Sequence, residues 1–298
     1  MLEVQIGEDA IRIGPRFAVV FQRTLRIPDD GHTYPLPPGL GRFPIRKVSD
    51  FAERVPASWD KNGTFIPIYQ REALWLGFEG TDWKPNAVKI AAGGINVVSG
   101  DRMDDVLRGD PQDYLVCPDQ PWIDGFNTGD GRIRQFVAMP LGRGYTIEGA
   151  LTGAETVGGI QFLVFEPKPG RFPDEPPLRR GPASRGLAGL EAPSEDAEMG
   201  LGAGGQMKQR LYPDRHGLES WDRGQRGAAA VYLVNSADYL AITGDQPPPT
   251  PVNARAYAEA GLPWFDLYDE DRGDVPAAER LADARTIEQR DRELGEGT

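Results

Sequence analysis

The sequence predicts a β-rich N-terminal domain, either a sandwich or an open barrel, followed by a smaller mixed α/β module at the C-terminus. Short apolar segments recur up to about residue 168 with turn residues between them, and helical periodicity is scarce in that region. Composition agrees, because 37 glycines and 27 prolines in 298 residues imply many turns. A chain of this length can bury a core without disulfides or structural metals.

The apolar segments of residues 1–168 are the predicted strands. They are 2–6, 11–13, 17–21, 64–69, 73–78, 87–91, 95–99, 114–117, 133–139 and 159–165. The clearest hairpin joins 87–91 to 95–99, because Gly93 and Gly94 supply the positive φ angles of a tight turn. A second hairpin is predicted to turn at 127–131. Gln135 then lies on an otherwise apolar strand face, where it needs hydrogen-bond partners if it is buried. One short helix is expected at 103–108.

The composition changes after residue 168. Proline, glycine, arginine, glutamate and serine dominate residues 169–205, and a segment of that kind buries too little apolar surface to offset its ordering entropy. These residues are therefore predicted to be a flexible linker. The sequence around Gly200 and Gly205 resembles a phosphate-binding loop only in its glycine content, so it is assigned to this linker.

Residues 206–298 are the predicted α/β module. A strand is expected at 228–234, and a helix at 236–243 with Asn235 or Ser236 as its N-cap and Gly244 at its end. A second helix is expected at 253–260, followed by an aromatic cluster at 262–268. The last predicted helix, at 275–289, would be acidic and capped by Asp274.

Charge and cysteine content exclude several classes of protein. The formal net charge is −12, which disfavours a binder of nucleic acid or of an anionic membrane, and the acidic excess is larger after residue 168 than before it. The single cysteine, Cys117, excludes an intrachain disulfide and a cysteine-based zinc site. No apolar run is long enough to span a bilayer, and residues 1–9 lack the features of a signal peptide. A cytoplasmic location is therefore expected.

Six segments resemble those of a known protein family. They are RTLRIP at 23–28, LPPGLG at 36–41, YQREALWL at 69–76, QPWIDG at 120–125, IRQFVAMP at 133–140 and GLPWF at 261–265. Through them the chain resembles a widespread uncharacterised family of bacterial and fungal proteins with no established activity. The resemblance implies intracellular use and a two-part layout, and it implies nothing about catalysis. Some members carry a label of integral membrane protein, which the lack of a long apolar segment here contradicts.

The usual catalytic and metal motifs are missing from the sequence. A cysteine nucleophile needs a nearby base, but His32 lies in a proline- and glycine-rich loop and His216 lies beyond the predicted linker. Cys117 is therefore expected to be a buried, inert thiol. The acidic run that begins at Asp266 fails the calcium-loop spacing, since Gly273 and Arg280 stand where ligands are required. No metal or cofactor is predicted.

Charged residues of the β-rich domain are the candidates for chemistry. Paired carboxylates can carry out hydrolysis, and Glu72, Asp124 and Arg134 would serve this purpose if they met in one concave cavity. Adjacent residues of a strand point to opposite faces, so Arg71 and Glu72 cannot form a simple local pair. The alternative interpretation is that these charged residues lie at strand ends and face water.

Tryptophans at turns are the second group of candidates. Trp122 lies in a Pro-Trp-Ile-Asp-Gly segment, Trp264 lies in Leu-Pro-Trp-Phe-Asp, and Trp75 lies in a predicted strand. A tryptophan in such a position either anchors its loop on the core or presents a binding surface. The segment 261–268 would then dock on the β-rich domain or on a second copy of the chain.

Three functional hypotheses follow from these patterns. The leading one is a non-enzymatic binding or assembly protein, with a protein partner or self-association, because no catalytic constellation is evident. A carboxylate-dependent hydrolase built on Glu72, Asp124 and Arg134 is the first alternative. A sandwich that binds a small ligand or sugar by stacking on Trp75 or Trp122 is the second.

Overall fold

A computed structural model describes residues 1–175, 198–249 and 273–295 of the chain. The strands of this part are β1 (Val4–Ile6), β2 (Ala10–Ile13), β3 (Phe17–Thr24), β4 (Thr33–Tyr34), β5 (Arg46–Lys47), β6 (Thr64–Ile68), β7 (Ala73–Glu79), β8 (Asn86–Ala92), β9 (Ile95–Asn96), β10 (Leu115–Cys117), β11 (Trp122–Ile123), β12 (Gly125–Gly129), β13 (Arg132–Pro140), β14 (Ile160–Pro167), β15 (Glu198–Lys208) and β16 (Trp221–Asn235). The helices are α1 (Ile147–Thr152), α2 (Ser236–Thr243), α3 (Glu279–Ala282) and α4 (Ile287–Leu294), with 3₁₀ turns at Val48–Phe51 and Leu218–Ser220.

All of these strands belong to one large sheet, which confirms the β-rich prediction. The main path runs β1-β2-β3-β7-β13-β15-β16-β14-β8-β10, and every neighbouring pair along it is antiparallel. Two short side strands join it in parallel, β4 on β15 and β6 on β16. The predicted division into two parts is not confirmed, because β15 and β16 lie at the centre of the sheet between β13 and β14.

The central strands are buried on both faces. In β3, seven of the eight residues are buried, and the first five, 17–21, are all apolar. The core is fixed by edge-to-face aromatic pairs, with ring centroids 6.0 Å apart for Phe21 and Phe162 and 4.8 Å apart for Phe126 and Phe136. This rigid centre positions the loops and helices that carry the candidate sites.

Both hairpins predicted from the sequence form. In the first, Ala92 pairs with Ile95 across Gly93 and Gly94, whose φ angles are 55° and 73°. The second connects β12 to β13, with Asp130 at its turn in the left-handed region. Gln135 is fully buried, and it is satisfied as predicted: its side chain accepts from the Ile27 amide and donates to the Leu25 carbonyl.

The predicted linker is wrong for residues 198–205. They form most of β15, whose register with β13 runs from Arg132 opposite Lys208 to Pro140 opposite Met199. The glycine content led to the wrong prediction because the glycines of this segment allow neighbouring backbone to pack closely and do not make the chain flexible. A Cβ on Gly205 would lie 2.3 Å from the Pro28 carbonyl oxygen. Residues 176–197 of the predicted linker lie outside the described residues.

Helix α2 matches the prediction at both ends. The Asn235 side chain accepts a hydrogen bond from the Ala237 amide, and Gly244 ends the helix with a φ of 78°. The predicted helix at 253–260 and the aromatic cluster at 262–268 lie outside the described residues.

Two other predicted helices are wrong. The single helix expected at 275–289 is replaced by α3 and α4, and the N-cap of α4 is Thr286, whose side chain forms a capping box with Gln289. Asp274 is not a cap, because its carboxylate accepts from the amides of Gly131 and Leu211. No helix forms at 103–108, where the carboxylate of Asp104 instead pairs with buried Lys89.

Among the described helices, none combines the length and the apolar character that a membrane crossing requires.

Candidate functional site

Glu72 and Arg23 form a buried ion pair between the start of β7 and β3. The Arg23 Nε donates to Glu72 Oε1 at 2.7 Å, and the second carboxylate oxygen accepts from the Tyr69 amide at 2.9 Å. The Glu72 side chain is fully buried, so the prediction that it faces water is wrong. Burial raises the pKa of Glu72, and the neighbouring Arg23 opposes that rise. Because both of its oxygens accept hydrogen bonds, this carboxylate links β3 to the turn before β7.

Arg71 points the other way from the same turn. Its φ is 66°, and its guanidinium donates two hydrogen bonds to Asp291 of α4, at 2.9 and 2.7 Å. The Tyr145 hydroxyl donates to the same carboxylate at 2.7 Å. The hydrogen bonds from Arg71 hold the pKa of Asp291 below its usual range. Adjacent residues therefore serve separate ion pairs, as predicted, but the cause is a left-handed turn before β7 and not alternation along a strand. Arg71 ties α4 to the sheet.

Asp124 is buried between β11 and β12. Its Oδ1 accepts from Gln209 Nε2 at 2.9 Å, and Oδ2 is buried as well. Burial raises the pKa of Asp124 to about 8, and the bond from Gln209 opposes the rise. The group therefore carries a proton at neutral pH and has no contact with solvent.

The two candidate tryptophans of the β-rich part contact each other. The ring centroids of Trp75 and Trp122 are 6.2 Å apart in a tilted arrangement, and both side chains are half-buried. Neither residue lines the cavities described below. Trp264 lies outside the described residues.

Arg134 does not share a cavity with the other two candidate charged residues. It lines a cleft of about 370 Å³ together with Asp29, Asp30, Gly31, Gln206, Glu288, Gln289 and Arg292. Its Nη1 is 3.6 Å from Asp29. Neither Glu72 nor Asp124 lines this cleft, so the common cavity that the hydrolase hypothesis requires is not found in the described part of the chain.

A second, larger cavity was not predicted from the sequence. It is a cleft of about 890 Å³ between the 142–155 segment and the C-terminal helices. Its lining is Gly142, Arg143, Gly144, Tyr145, Gly149, Ala150, Leu151, Gly153, Ala154, Glu155, Arg280, Asp283, Ala284, Arg285 and Arg290. We call it the arginine cleft, because four arginines and two acidic residues are among the described residues that line it.

One of those two acidic residues, Glu155, already accepts hydrogen bonds from the protein. The Glu155 carboxylate accepts hydrogen bonds from the Gly144 amide at 2.8 Å and from the Thr146 amide at 2.9 Å. The Thr146 hydroxyl donates to it as well, at 2.6 Å. The loop before α1 is therefore an anion-binding surface, on which an internal carboxylate sits.

The opposite wall has more donors than acceptors. Arg285 Nη1 and Arg290 Nη1 both donate to the same oxygen, Glu293 Oε2, at 2.8 and 2.9 Å. The buried Nε of Arg290 has no hydrogen-bond acceptor among the described residues. Two guanidinium groups thus share one carboxylate, which leaves positive charge and unused donors facing the cleft.

A weak sequence signal for this site did exist. Arg280, Arg285 and Arg290 recur at intervals of five residues within a segment otherwise classified as an acidic helix. Two short helices in place of one bring these arginines to a common wall, and sequence periodicity did not predict that break.

Cys117 and His216 do not form a nucleophilic pair. Cys117 is buried in the apolar core, and burial raises its pKa well above the usual range. The His216 ring packs against Phe172 and Trp221, with centroids 5.0 and 6.1 Å away. In the described ranges, no group of three or more His, Cys, Asp or Glu residues is placed to hold a metal ion.

Comparisons with known proteins leave the function to be argued from geometry. No family model, no curated protein and no solved structure matches this chain.

Proposed function

We propose that this protein is a non-enzymatic binding protein whose arginine cleft receives a small anionic ligand bearing carboxylate or phosphate groups. The observation that carries the proposal is the sharing of Glu293 by Arg285 and Arg290 at the cleft wall. A guanidinium fork matches carboxylate and phosphate oxygens in two-point hydrogen bonding, and a ligand oxygen would supply the missing acceptors.

The size and depth of the cleft support a small molecule. Its volume of about 890 Å³ lies in the range of ligand-binding cavities in proteins. Four arginines and two acidic residues among the described lining give the cleft a net formal charge of +2, whereas the whole chain carries −12. Local placement of arginines, rather than overall charge, would therefore select the ligand.

Isothermal titration calorimetry of the full chain tests the proposal, with citrate and inorganic pyrophosphate as the probes. Saturable binding of at least one probe is expected, weakening as salt increases because part of the attraction is electrostatic. The double variant Arg285→Gln/Arg290→Gln should bind about tenfold more weakly or worse, since each lost charge-assisted hydrogen bond is worth about 1.5–3 kcal/mol.

Arg12→Gln is the matched control, because Arg12 is an exposed arginine of β2 outside the cleft lining. It should bind like the unmodified chain. Thermal melting of all variants establishes that each one folds. Failure of both probes to bind, or equal binding by the folded double variant, would overturn the proposal.

A further inference from the structure

The end strand β1 has one unpaired edge. It pairs with β2 through Val4 opposite Ile13 and Ile6 opposite Ile11. The flanking hydrogen bonds, from the Gly14 amide to the Glu3 carbonyl and from the Gly7 amide to the Ala10 carbonyl, show which residues face β2. Because backbone groups alternate along an antiparallel strand, the N–H and C=O groups of Val4 and Ile6 point away from β2.

Both ends of this edge are closed by the protein. The Leu2 amide donates to the Arg226 carbonyl at 2.8 Å, and the Glu8 carbonyl accepts from the Ile45 amide at 2.7 Å. Between them, Val4 and Ile6 have no backbone hydrogen-bond partner on that side among the described residues. The unpaired stretch is therefore bounded, and its length suits a short extended segment.

The facing wall is a second strand edge. Arg46 pairs with Phe65, and the Val48 amide donates to the Gly63 carbonyl, so both residues face β6. By the same alternation, the backbone of Lys47 faces away from β6. The two edges meet where Glu8 contacts Ile45, and beyond that point a groove of about 540 Å³ separates them. We call it the β1 groove; its lining is Val4, Gln5, Ile6, Lys47, Ser49, Lys61, Asn62 and Gly63.

We propose that the β1 groove binds an extended acidic peptide of a partner protein, which adds a strand beside β1. Unpaired backbone groups of Val4 and Ile6 would form the ladder, and the half-buried side chains of these two residues would contact alternate apolar residues of the peptide.

The positive charge of the groove favours a peptide that is acidic. Lys47 and Lys61 are exposed, and the described residues that line the groove include no carboxylate. Opposite charges placed along an added strand favour binding and set its register. A second copy of this chain is a poorer occupant, because its net charge of −12 repels an identical molecule.

Fluorescence anisotropy with a labelled synthetic peptide of alternating valine and glutamate tests the proposal on the full chain. Saturable binding is expected at low salt. A peptide with the same sequence but N-methylated at alternate residues should bind about tenfold more weakly or worse, because it keeps the charges and loses the ladder donors. A valine–lysine peptide should not bind.

Variants of the protein complete the test. Lys47→Ala/Lys61→Ala should weaken binding of the acidic peptide, whereas Lys168→Ala, at an exposed position outside the groove, should not. Equal affinity for the N-methylated peptide would overturn strand addition. No binding of the acidic peptide, together with a dimer by light scattering, would assign the groove to a second copy and overturn the proposal as well.

Discussion

The Nε atom of Arg23 lies 2.7 Å from Oε1 of Glu72, and both side chains are almost completely removed from solvent. A buried ion pair of this kind is stable only because its members neutralise each other and their remaining groups are hydrogen-bonded. Glu72 meets this condition through the Tyr69 amide. Glu72, for which the sequence left open a position facing water, is thus one structural unit with Arg23.

Glu72→Gln should destabilise the protein by about 3–5 kcal/mol, because it leaves the Arg23 guanidinium buried without a counter-charge. The free energy of unfolding in urea measures the effect. The double variant Arg23→Met/Glu72→Leu should lose less free energy of unfolding than the sum of the losses of the single variants Arg23→Met and Glu72→Leu. Glu79→Gln, which removes a carboxylate from an exposed pair with Arg12, is the control and should change stability by about 0.5 kcal/mol or less. Additive effects in the double variant would contradict the coupling.

The raised pKa of Asp124 predicts a pH-dependent stability. The native state keeps this proton up to about pH 8, whereas the unfolded chain releases it near pH 4. Between these values the native state binds the extra proton, so the Asp124 contribution to stability declines as the pH rises. Asp124→Asn removes this dependence. Relative to the unmodified chain, the variant should gain up to about 1.4 kcal/mol for each pH unit across that window.

Urea unfolding at several pH values checks this prediction. Asp82→Asn, at an exposed position, serves as the control and should leave the pH profile of the unmodified chain unchanged. If Asp124→Asn and the unmodified chain keep a constant stability difference across the window, Asp124 is not the protonated group.

The assignment of residues 198–205 to a strand has its own test. Gly205→Ala should destabilise the protein by about 1–3 kcal/mol, because the added methyl group meets the carbonyl oxygens of Pro28 and Ile27 at 2.3 and 2.8 Å. Gly224→Ala in β16 is the matched control, since its new Cβ would meet only Asp222 Oδ1 at 3.3 Å. Thermal melting compares them. A flexible linker would tolerate both changes equally.

The bidentate pair of Arg71 and Asp291 holds α4 on the sheet. Asp291→Asn should increase amide hydrogen exchange in Ile287–Leu294 and leave β3 and β7 protected, because the lost contacts are local to the helix. The lowered pKa of Asp291 means that its contribution is present at neutral pH and is lost as the pH falls through that pKa. Glu288→Gln, on the same helix, is the control. Unchanged exchange in α4 after Asp291→Asn would show that the pair does not hold the helix.

Local patterns predicted the elements whose structure depends on neighbours in the sequence. The hairpin at Gly93 and Gly94 and the ends of α2 at Asn235 and Gly244 form because a turn or a cap needs only a few adjacent residues. Gln135 was similarly predictable, since a polar side chain on an apolar strand face must find partners when it is buried.

The candidate sites depended on contacts between distant residues. Glu72 is paired through a strand 49 positions away in sequence, and Arg71 through a helix 220 positions away. The arginine cleft exists because α3 and α4 are separate helices, and the β1 groove exists because β1 and β5 diverge beyond Glu8 and Ile45. Apart from the five-residue spacing of Arg280, Arg285 and Arg290, none of these relationships leaves a periodic signal in the sequence.

The sequence by itself determined that this protein is β-rich, where its tight turns lie, and that one cysteine and two histidines restrict its chemistry. Tertiary structure decided that the glycine-rich segment at 198–205 is a central strand, that Glu72 is buried, and that arginines converge on one cleft. The physical reason is the distance along the sequence over which each kind of interaction acts. Turn and cap preferences act over a few residues, whereas burial, ion pairing and cavity formation depend on which distant strands and helices the fold brings together.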